Sequence, residues 1–420
     1  MAGTVKFGAW EPDKSTHNTG VNEAKGVIAQ QGDYVPIRAL SQYAGNTLNG
    51  TCIGGFGCYD PSSQAQIVLG SSSKLYALRS GALTDVSKGG GYATPSDLFW
   101  SFEQFGQYLV ASFRDTAMQV ADLSVINWTF ANLSGTPPQA ETIGRVLNFL
   151  VCGYDQTLTW SAQNDITSWT PSSTTQAGTT TLDISGGKIK RIFGGETGTV
   201  LQQRHIRRMT YVGPPTIWQI DLVEERRGVI AQNGAVKFGR NIFYASEDGF
   251  YVFDGYQSQP IGMNKVDEYF TSNLNYPYRH HICCAFDPVQ RAVIWAIPTG
   301  SNAYPSELII YSISDDRWTH DDISAEFLFE MPIPGYTIDN LYQYPGAVES
   351  GNIDKPSLSV IPIDSPVFSE GRRQPAAVDL THTLCTFSGV NRPAILETQE
   401  INPEPGRRAF VSEIWPIVDA

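Results

Sequence analysis

Hairpin-like segments recur along this chain at almost constant spacing. Six of them, rich in β-branched and aromatic residues, are each broken in the middle by Gly, Asp or Ser. They are Ile67-Val68-Leu69 with Leu75 to Leu78, Leu109 to Ser112 with Ala117 to Val120, Phe149 to Cys152 with Leu158 to Trp160, the stretch Thr199 to Tyr211, Ile242 to Ala245 with Phe250 to Phe253, and Val293 to Ala296 with Leu308 to Tyr311. Ile67 to Leu109 is 42 residues, Leu109 to Phe149 is 40, Phe149 to Thr199 is 50, Thr199 to Ile242 is 43 and Ile242 to Val293 is 51. A four-stranded propeller blade takes roughly 40–50 residues. The spacing therefore predicts an all-β chain: a six-bladed β-propeller of degenerate repeats over 51–330. An N-terminal arm and strand over 1–50 and a loop-rich, strand-bearing region over 331–420 would be added to it.

A tryptophan follows four of the hairpins at a similar distance. Trp128 comes eight residues after Val120, Trp169 nine after Trp160, Trp218 seven after Tyr211 and Trp318 seven after Tyr311. Wedge-shaped sheets need large aromatics to fill the space between neighbours, so these four are expected to be buried blade-core residues at equivalent places. The stretch Tyr311 to Trp318 resembles the strand, turn and Trp of kelch-type blades. Helical signal is confined to Asn264–Asn273, with Val266, Tyr269 and Phe270 on one side. The apolar run Tyr34 to Leu40 is expected to pair with or pack on the propeller. Ala377 to Phe387, Ala394 to Glu400 and Ala409 to Val418 are further strand candidates.

Charge narrows the function classes. Lys and Arg total 29 against 42 Asp and Glu, a balance of −13. A protein that grips phosphates is expected to be basic, so a DNA-binding regulator is disfavoured. Charged residues make up 17% of the chain, below the roughly 25% of an average soluble domain, which suggests surface covered by other subunits. No apolar run reaches the length of a membrane span, and the start Met1-Ala2-Gly3-Thr4 shows no signal-peptide core. Cys52, Cys58, Cys152, Cys283, Cys284 and Cys385 form no CxxC pair and are expected to be buried thiols.

No catalytic, cofactor-binding or metal-ligating residue is assigned. His280-His281-Ile282-Cys283-Cys284 is the most metal-like cluster. On a strand it would put two ligands on each face, too few for zinc. Asp315-Asp316 and Asp321-Asp322 read as turn caps. Gly194-Gly195-Glu196-Thr197-Gly198 lacks the Lys-Ser/Thr of a phosphate loop and reads as a turn. No Gly-x-Ser-x-Gly nucleophile appears. The expectation is a protein that is not an enzyme. Basic residues do cluster: Lys188, Lys190 and Arg191, then Arg204, His205, Arg207 and Arg208, then Arg226 and Arg227. In an acidic protein Arg204, Arg207, Arg208, Arg226 and Arg227 are candidate subunit or partner contacts, with Arg204 and Arg208 on one strand face.

Two terminal stretches carry a family likeness. The first holds Phe7-Gly8-Ala9-Trp10-Glu11-Pro12-Asp13, Val21-Asn22-Glu23-Ala24-Lys25-Gly26-Val27-Ile28 and Gln31-Gly32-Asp33-Tyr34-Val35-Pro36. The second holds Glu404-Pro405-Gly406-Arg407-Arg408-Ala409-Phe410-Val411 and Trp415-Pro416-Ile417-Val418-Asp419. Together they resemble the opening and ending of tail nozzle, or packaged-DNA stabilisation, proteins of short-tailed bacteriophages. The resemblance implies a structural virion protein, assembled in the host cytoplasm, that forms a homohexameric ring below portal and adaptor. DNA would pass through it without sequence-specific binding. Tail fibre, spike and plug proteins would be neighbours, and no cofactor is implied. The alternative is a propeller that binds carbohydrate or peptide, or a glycosidase on the same fold, which would need two or three carboxylates converging at the central channel. A trimeric adhesin would need a repetitive stalk, which this sequence lacks.

Overall fold

Six blades of this protein are antiparallel meanders of four consecutive strands, each strand pairing with its neighbour in sequence. The computed structural model describes residues 7–14, 20–95, 97–333 and 373–398. Four strands precede the first meander: β1 (Val21–Lys25), β2 (Val27–Gln30), β3 (Asp33–Pro36) and β4 (Ser41–Thr47). Blade 1 is β5 (Cys52–Tyr59), β6 (Ala65–Ser71), β7 (Leu75–Arg79) and β8 (Ala82–Asp85). Blade 2 is β9 (Ser101–Phe105), β10 (Tyr108–Ser112), β11 (Gln119–Asp122) and β12 (Ala131–Asn132). Blade 3 is β13 (Thr142–Val146), β14 (Phe149–Tyr154), β15 (Thr157–Trp160) and β16 (Gly178–Thr181). Blade 4 is β17 (Ile189–Phe193), β18 (Gly198–Gln202), β19 (His205–Gly213) and β20 (Ile217–Glu225). Blade 5 is β21 (Ala235–Phe238), β22 (Asn241–Ser246), β23 (Gly249–Phe253) and β24 (Ser258–Pro260). A short helix, α1 (Asp267–Asn273), leads to blade 6: β25 (Cys283–Asp287), β26 (Ala292–Ile297), β27 (Glu307–Ser312) and β28 (Arg317–Asp322). Then come β29 (Ala325–Pro332), β30 (Arg373–Asp379), β31 (Thr383–Thr386) and β32 (Ile395–Thr398).

The expected six blades are corrected to seven. β29, β30 and β31 form a seventh sheet, and its fourth strand is β4 from the other end of the chain. Thr383 pairs with Thr47, Cys385 with Gln42 and Thr386 with Ser41. The propeller therefore takes strands from outside the expected 51–330 span. Each of the six predicted hairpins is the second and third strand of a blade. The seventh hairpin lies in the strand candidate Ala377 to Phe387. It falls off the period because residues 333–372 separate it from β29.

Burial explains which strands were readable. Every residue of β26 and β27 is buried, because middle strands are covered by a neighbouring blade on each face. Outer strands such as β12 and β24 are short and largely exposed. At the seam where β29 meets blade 1, β5 carries Gly54, Gly55 and Gly57. A Cβ on Gly55 would come 2.7 Å from Cγ of Phe329, so glycine lets the ring close tightly there.

Blade 6 is widened by a rib. β1 runs parallel to β28, with Lys25 beside His320, and β32 pairs antiparallel with β1. The His320 ring stacks on Trp10 at 4.5 Å. Its nitrogens lie 3.1 Å from Glu23 and 3.2 Å from Glu307. Lys25 reaches Asp322 and Arg392 reaches Asp321, both at 2.6 Å. The run Tyr34 to Leu40 is ordered and packs on the propeller. Tyr34 donates to the Gly8 carbonyl at 2.6 Å, and Ile37 is buried in the large core cluster around blades 1, 2, 6 and 7. The Asp315 carboxylate accepts from the Gln31 and Gly32 amides at 3.1 and 2.8 Å, so this acid caps a turn.

All four flagged tryptophans are buried, but they are not all equivalent. Trp218 and Trp318 lie on outer strands and pair directly with Tyr211 and Tyr311. Trp128 and Trp169 lie in the connections before β12 and β16. There Trp128 takes Arg79 of blade 1 over its ring at 5.0 Å, and Trp169 donates to the Ile166 carbonyl. His280 and His281 sit in a 3-10 turn (Tyr276–His281) ahead of β25, so the expected strand with alternating faces does not exist there. The six cysteines are buried and unpaired. Among the described residues no helix is long and apolar enough to cross a membrane. Ala394 to Glu400 is met by β32, while Ala409 to Val418 and the C-terminal motif lie outside the described residues.

Candidate functional site at the upper channel mouth

The inner strands β5, β9, β13, β17, β21, β25 and β29 surround the propeller axis. The turn between second and third strands of each blade, and the link to the next blade, fall at the same end. This end is called the upper face below. The link from blade 4 to blade 5 is pinned on all sides. The Val229 amide donates to Gln202 and the Ile230 amide to Ala245, each at 3.0 Å. Asn233 bridges to Cys283 of blade 6, and Gln232 donates to the Glu141 carbonyl before blade 3 at 3.0 Å. The link thus lies beside the upper end of β17. The next link carries α1 and the 3-10 turn that ends in Arg279, His280 and His281.

Between these two links opens a cleft of about 110 Å³, lined by Lys190, Gln203, Val229, Ile230, Glu247, Arg279 and His280. Lys190 is half-buried. Burial, followed by the like charges of Lys188, Arg279 and Arg114, holds its ammonium below the ordinary lysine range. Burial also lowers His280, opposed by Asp97 and helped by Arg279, and it brings His281 down to about 4. Arg279 lies over the Tyr276 ring at 4.1 Å and donates to the Tyr276 carbonyl at 3.0 Å. Glu247 accepts from the Tyr276 hydroxyl at 3.4 Å. Neighbouring cations are already matched. Lys188 meets Asp155 at 2.9 Å, and Arg114 meets Glu141 and Asp155. Among the described residues neither Lys190 nor Arg279 forms a salt bridge.

Deeper in the ring sits a second charge group, which no sequence motif marked. Arg191 of β17 donates to Asn233 at 3.2 Å and feels the carboxylates of Glu103 on β9 and Glu330 on β29. Burial pushes Glu103 up to about 7 against the pull of Arg191 and Arg145. Glu330, which accepts from the Phe286 amide at 3.1 Å, is raised by burial as well. A glycosidase aims two carboxylates at a sugar from opposite sides of the scissile bond. Here both carboxylates feel the Arg191 guanidinium, and Glu330 also lies 3.7 Å from Arg373.

The structure disperses the basic residues singled out in the sequence. Arg204 lies in the turn before β19, so it shares no strand face with Arg208. Arg207 donates to Gln202 at 2.9 Å. Arg208 lies 3.8 Å from Asp221 and over Tyr256, Arg226 is exposed in the link to blade 5, and Arg227 covers Tyr251. Lys190 alone of that sequence cluster lines the cleft. Glu247 joins it from the turn of blade 5, and Arg279 and His280 from the link between blades 5 and 6, a meeting that only the tertiary fold produces. Among the described residues no group of three or more His, Cys, Asp or Glu side chains could hold a metal ion.

The fold defines a closed seven-bladed β-propeller, and its likeness to known proteins lies at that level. No protein-family model matches the sequence, and no curated protein matches it. Among solved structures, the chain is similar to the extracellular domain of the putative hybrid two-component system BT4673 from B. thetaiotaomicron. There the TM-score is 0.46 at 11% identity, covering 87% of this chain and 40% of that one. It is also similar to the β-propeller domain of Myceliophteria thermophila Cps50 (Swd1), with TM-score 0.46, 8% identity, and 82% and 99% coverage. A chain of the Mitotic Checkpoint Complex gives 0.42 at 9%, covering 73% and 92%. This chain thus spans 40% of the length of the first of these structures.

The expectation of a virion tail nozzle forming an elongated channel is corrected. The described chain closes a seven-bladed ring on itself through β4, a closed propeller rather than an elongated tube. The N-terminal motif that carried the family likeness forms part of the rib on blade 6 and its adjoining hairpin.

Proposed function

We propose that this protein is a binding propeller, not an enzyme, and that it recognises a peptide segment of a partner at the upper channel mouth. The observation that carries the reading is the cleft between blades 4, 5 and 6. At about 110 Å³ it falls well below the roughly 300–1,000 Å³ of sites that enclose a small molecule. It has room for one side chain presented by a larger partner. A glycan reading would want a bare aromatic platform. The nearest candidate, Tyr276, has its ring face taken by Arg279.

The test uses the whole chain and a variant, Gln203→Trp, which fills the cleft from an exposed position. Linear peptides selected from a display library on the unaltered protein are expected to bind the variant at least tenfold more weakly. A glycan array should give no saturable binding. Selected peptides that hold the variant equally well, or glycans that bind saturably where no peptide does, would overturn the reading.

A further inference from the structure

We infer that the cleft at the upper mouth takes a single oxyanion, the carboxylate of an acidic side chain on a peptide, held between Lys190 and Arg279. This rests on the reading of the cleft as the recognition site and names what enters it.

The argument begins from counter-ions. Four cations, Arg114, Lys188, Lys190 and Arg279, act on one another at this face. Two of them have acids: Lys188 has Asp155, and Arg114 has Glu141 and Asp155. The other two line the cleft and have none among the described residues. A cation taken out of water without a partner is costly, and the cost shows in the lowered proton affinity of the Lys190 ammonium. An anion arriving beside it would remove that cost, so the site is built to favour one.

A second observation points the same way. His280 lines the cleft, and its Nε2 is buried with no hydrogen-bond partner. A buried polar atom left unmatched is uncommon and calls for a ligand or water. The lining holds one acid, Glu247, which is exposed and accepts from the Tyr276 hydroxyl, against two cations, Lys190 and Arg279. Val229 and Ile230 supply an apolar wall, buried to 0% and 7% exposure, against which a methylene stem can lie. Cations, an open hydrogen-bonding position and an apolar wall suit a Glu or Asp side chain. The overall charge of −13 would repel a strongly acidic partner at long range. Recognition is therefore by one acid in context, not by an acidic tract.

The probes are a short peptide with one central Glu flanked by Gly, its Gln counterpart, and inorganic phosphate, titrated at low salt. The Glu peptide is expected to bind the unaltered protein and the Gln peptide at least tenfold more weakly. Arg279→Gln and Lys190→Met should each lower Glu-peptide affinity at least tenfold. Arg279→Gln changes a half-buried residue of a link outside the blade strands, so it keeps the test open if Lys190→Met, on β17, fails to fold. With reductively methylated lysines, the Lys190 carbon resonance should titrate at higher pH once the Glu peptide is bound. Equal binding of Glu and Gln peptides, both lost in Gln203→Trp, would leave a peptide site and overturn the oxyanion. Phosphate that binds at Lys190 and displaces the Glu peptide at equal concentration would overturn the peptide as its source. Absence of Glu-peptide binding, while library peptides still bind the cleft, would likewise refute the assignment.

Discussion

Neighbouring residues of β17 carry half-buried cations in different surroundings. Arg191 donates to Asn233 and feels the carboxylates of Glu103 on blade 2 and Glu330 on blade 7. Lys190 points into the cleft region and is answered by none. The first belongs to a charge cluster inside the ring; the second lines the proposed site. The cluster has its own pH signature. Glu103 is raised from 4.5 to about 7 in the folded protein, so the folded state holds a proton that the unfolded chain has released. Its favourable contribution is complete below the unfolded pKa and is lost as pH rises through about 7. Between pH 5 and pH 8 the unaltered protein should therefore lose up to about 3 kcal/mol relative to Glu103→Gln, at about 1.4 kcal/mol per pKa unit. Urea midpoints at the two pH values measure this, and parallel pH dependence in both proteins would refute it. Neither charge was assigned a role from sequence, because a Lys-Arg pair on a strand shows no partners until the other blades are in place.

At the scale of elements, the hairpins were readable because second strands such as β14 and β26 are buried on both faces and appear as unbroken apolar runs. The inner strands were less so, since they mix Gly with charges facing the axis, and outer strands such as β12 are too short to show a pattern. Trp318 illustrates what the aromatic signal meant. It pairs with Tyr311, sits 5.0 Å from Phe250 of blade 5 and donates to the Ile261 carbonyl at 3.2 Å. It thus joins two blades. Trp318→Ala is expected to cost about 3–5 kcal/mol, the range for removing a large buried aromatic, read as a fall in the denaturation midpoint. A loss under about 1 kcal/mol would mean that the blades hold together without it. The trailing-Trp regularity carried this meaning on blades 4 and 6. On blades 2 and 3 the same spacing placed buried tryptophans in connections, since distance along the chain does not distinguish a strand from the loop before it.

The whole molecule depends on one pairing between distant parts of the chain. β4 supplies the outer strand of blade 7, and without it β31 would present a bare edge. Deleting residues 1–47 also removes the β1 rib. The shortened chain is expected to lose its single cooperative thermal transition. A peptide spanning 38–50, added in trans, should restore part of it, and its failure to bind would show that ring closure does not rest on β4. By itself, the sequence determined the all-β class, the blade period, six of the seven hairpins and the burial of the aromatics. These follow from local alternation and apolar runs, which each segment carries alone. The tertiary structure decided the seventh blade, the closure and the cleft. Each depends on residues brought together from far apart: Ser41 with Thr386, and Lys190 with Arg279. No local pattern records which distant partner a strand edge or an unmatched charge will meet.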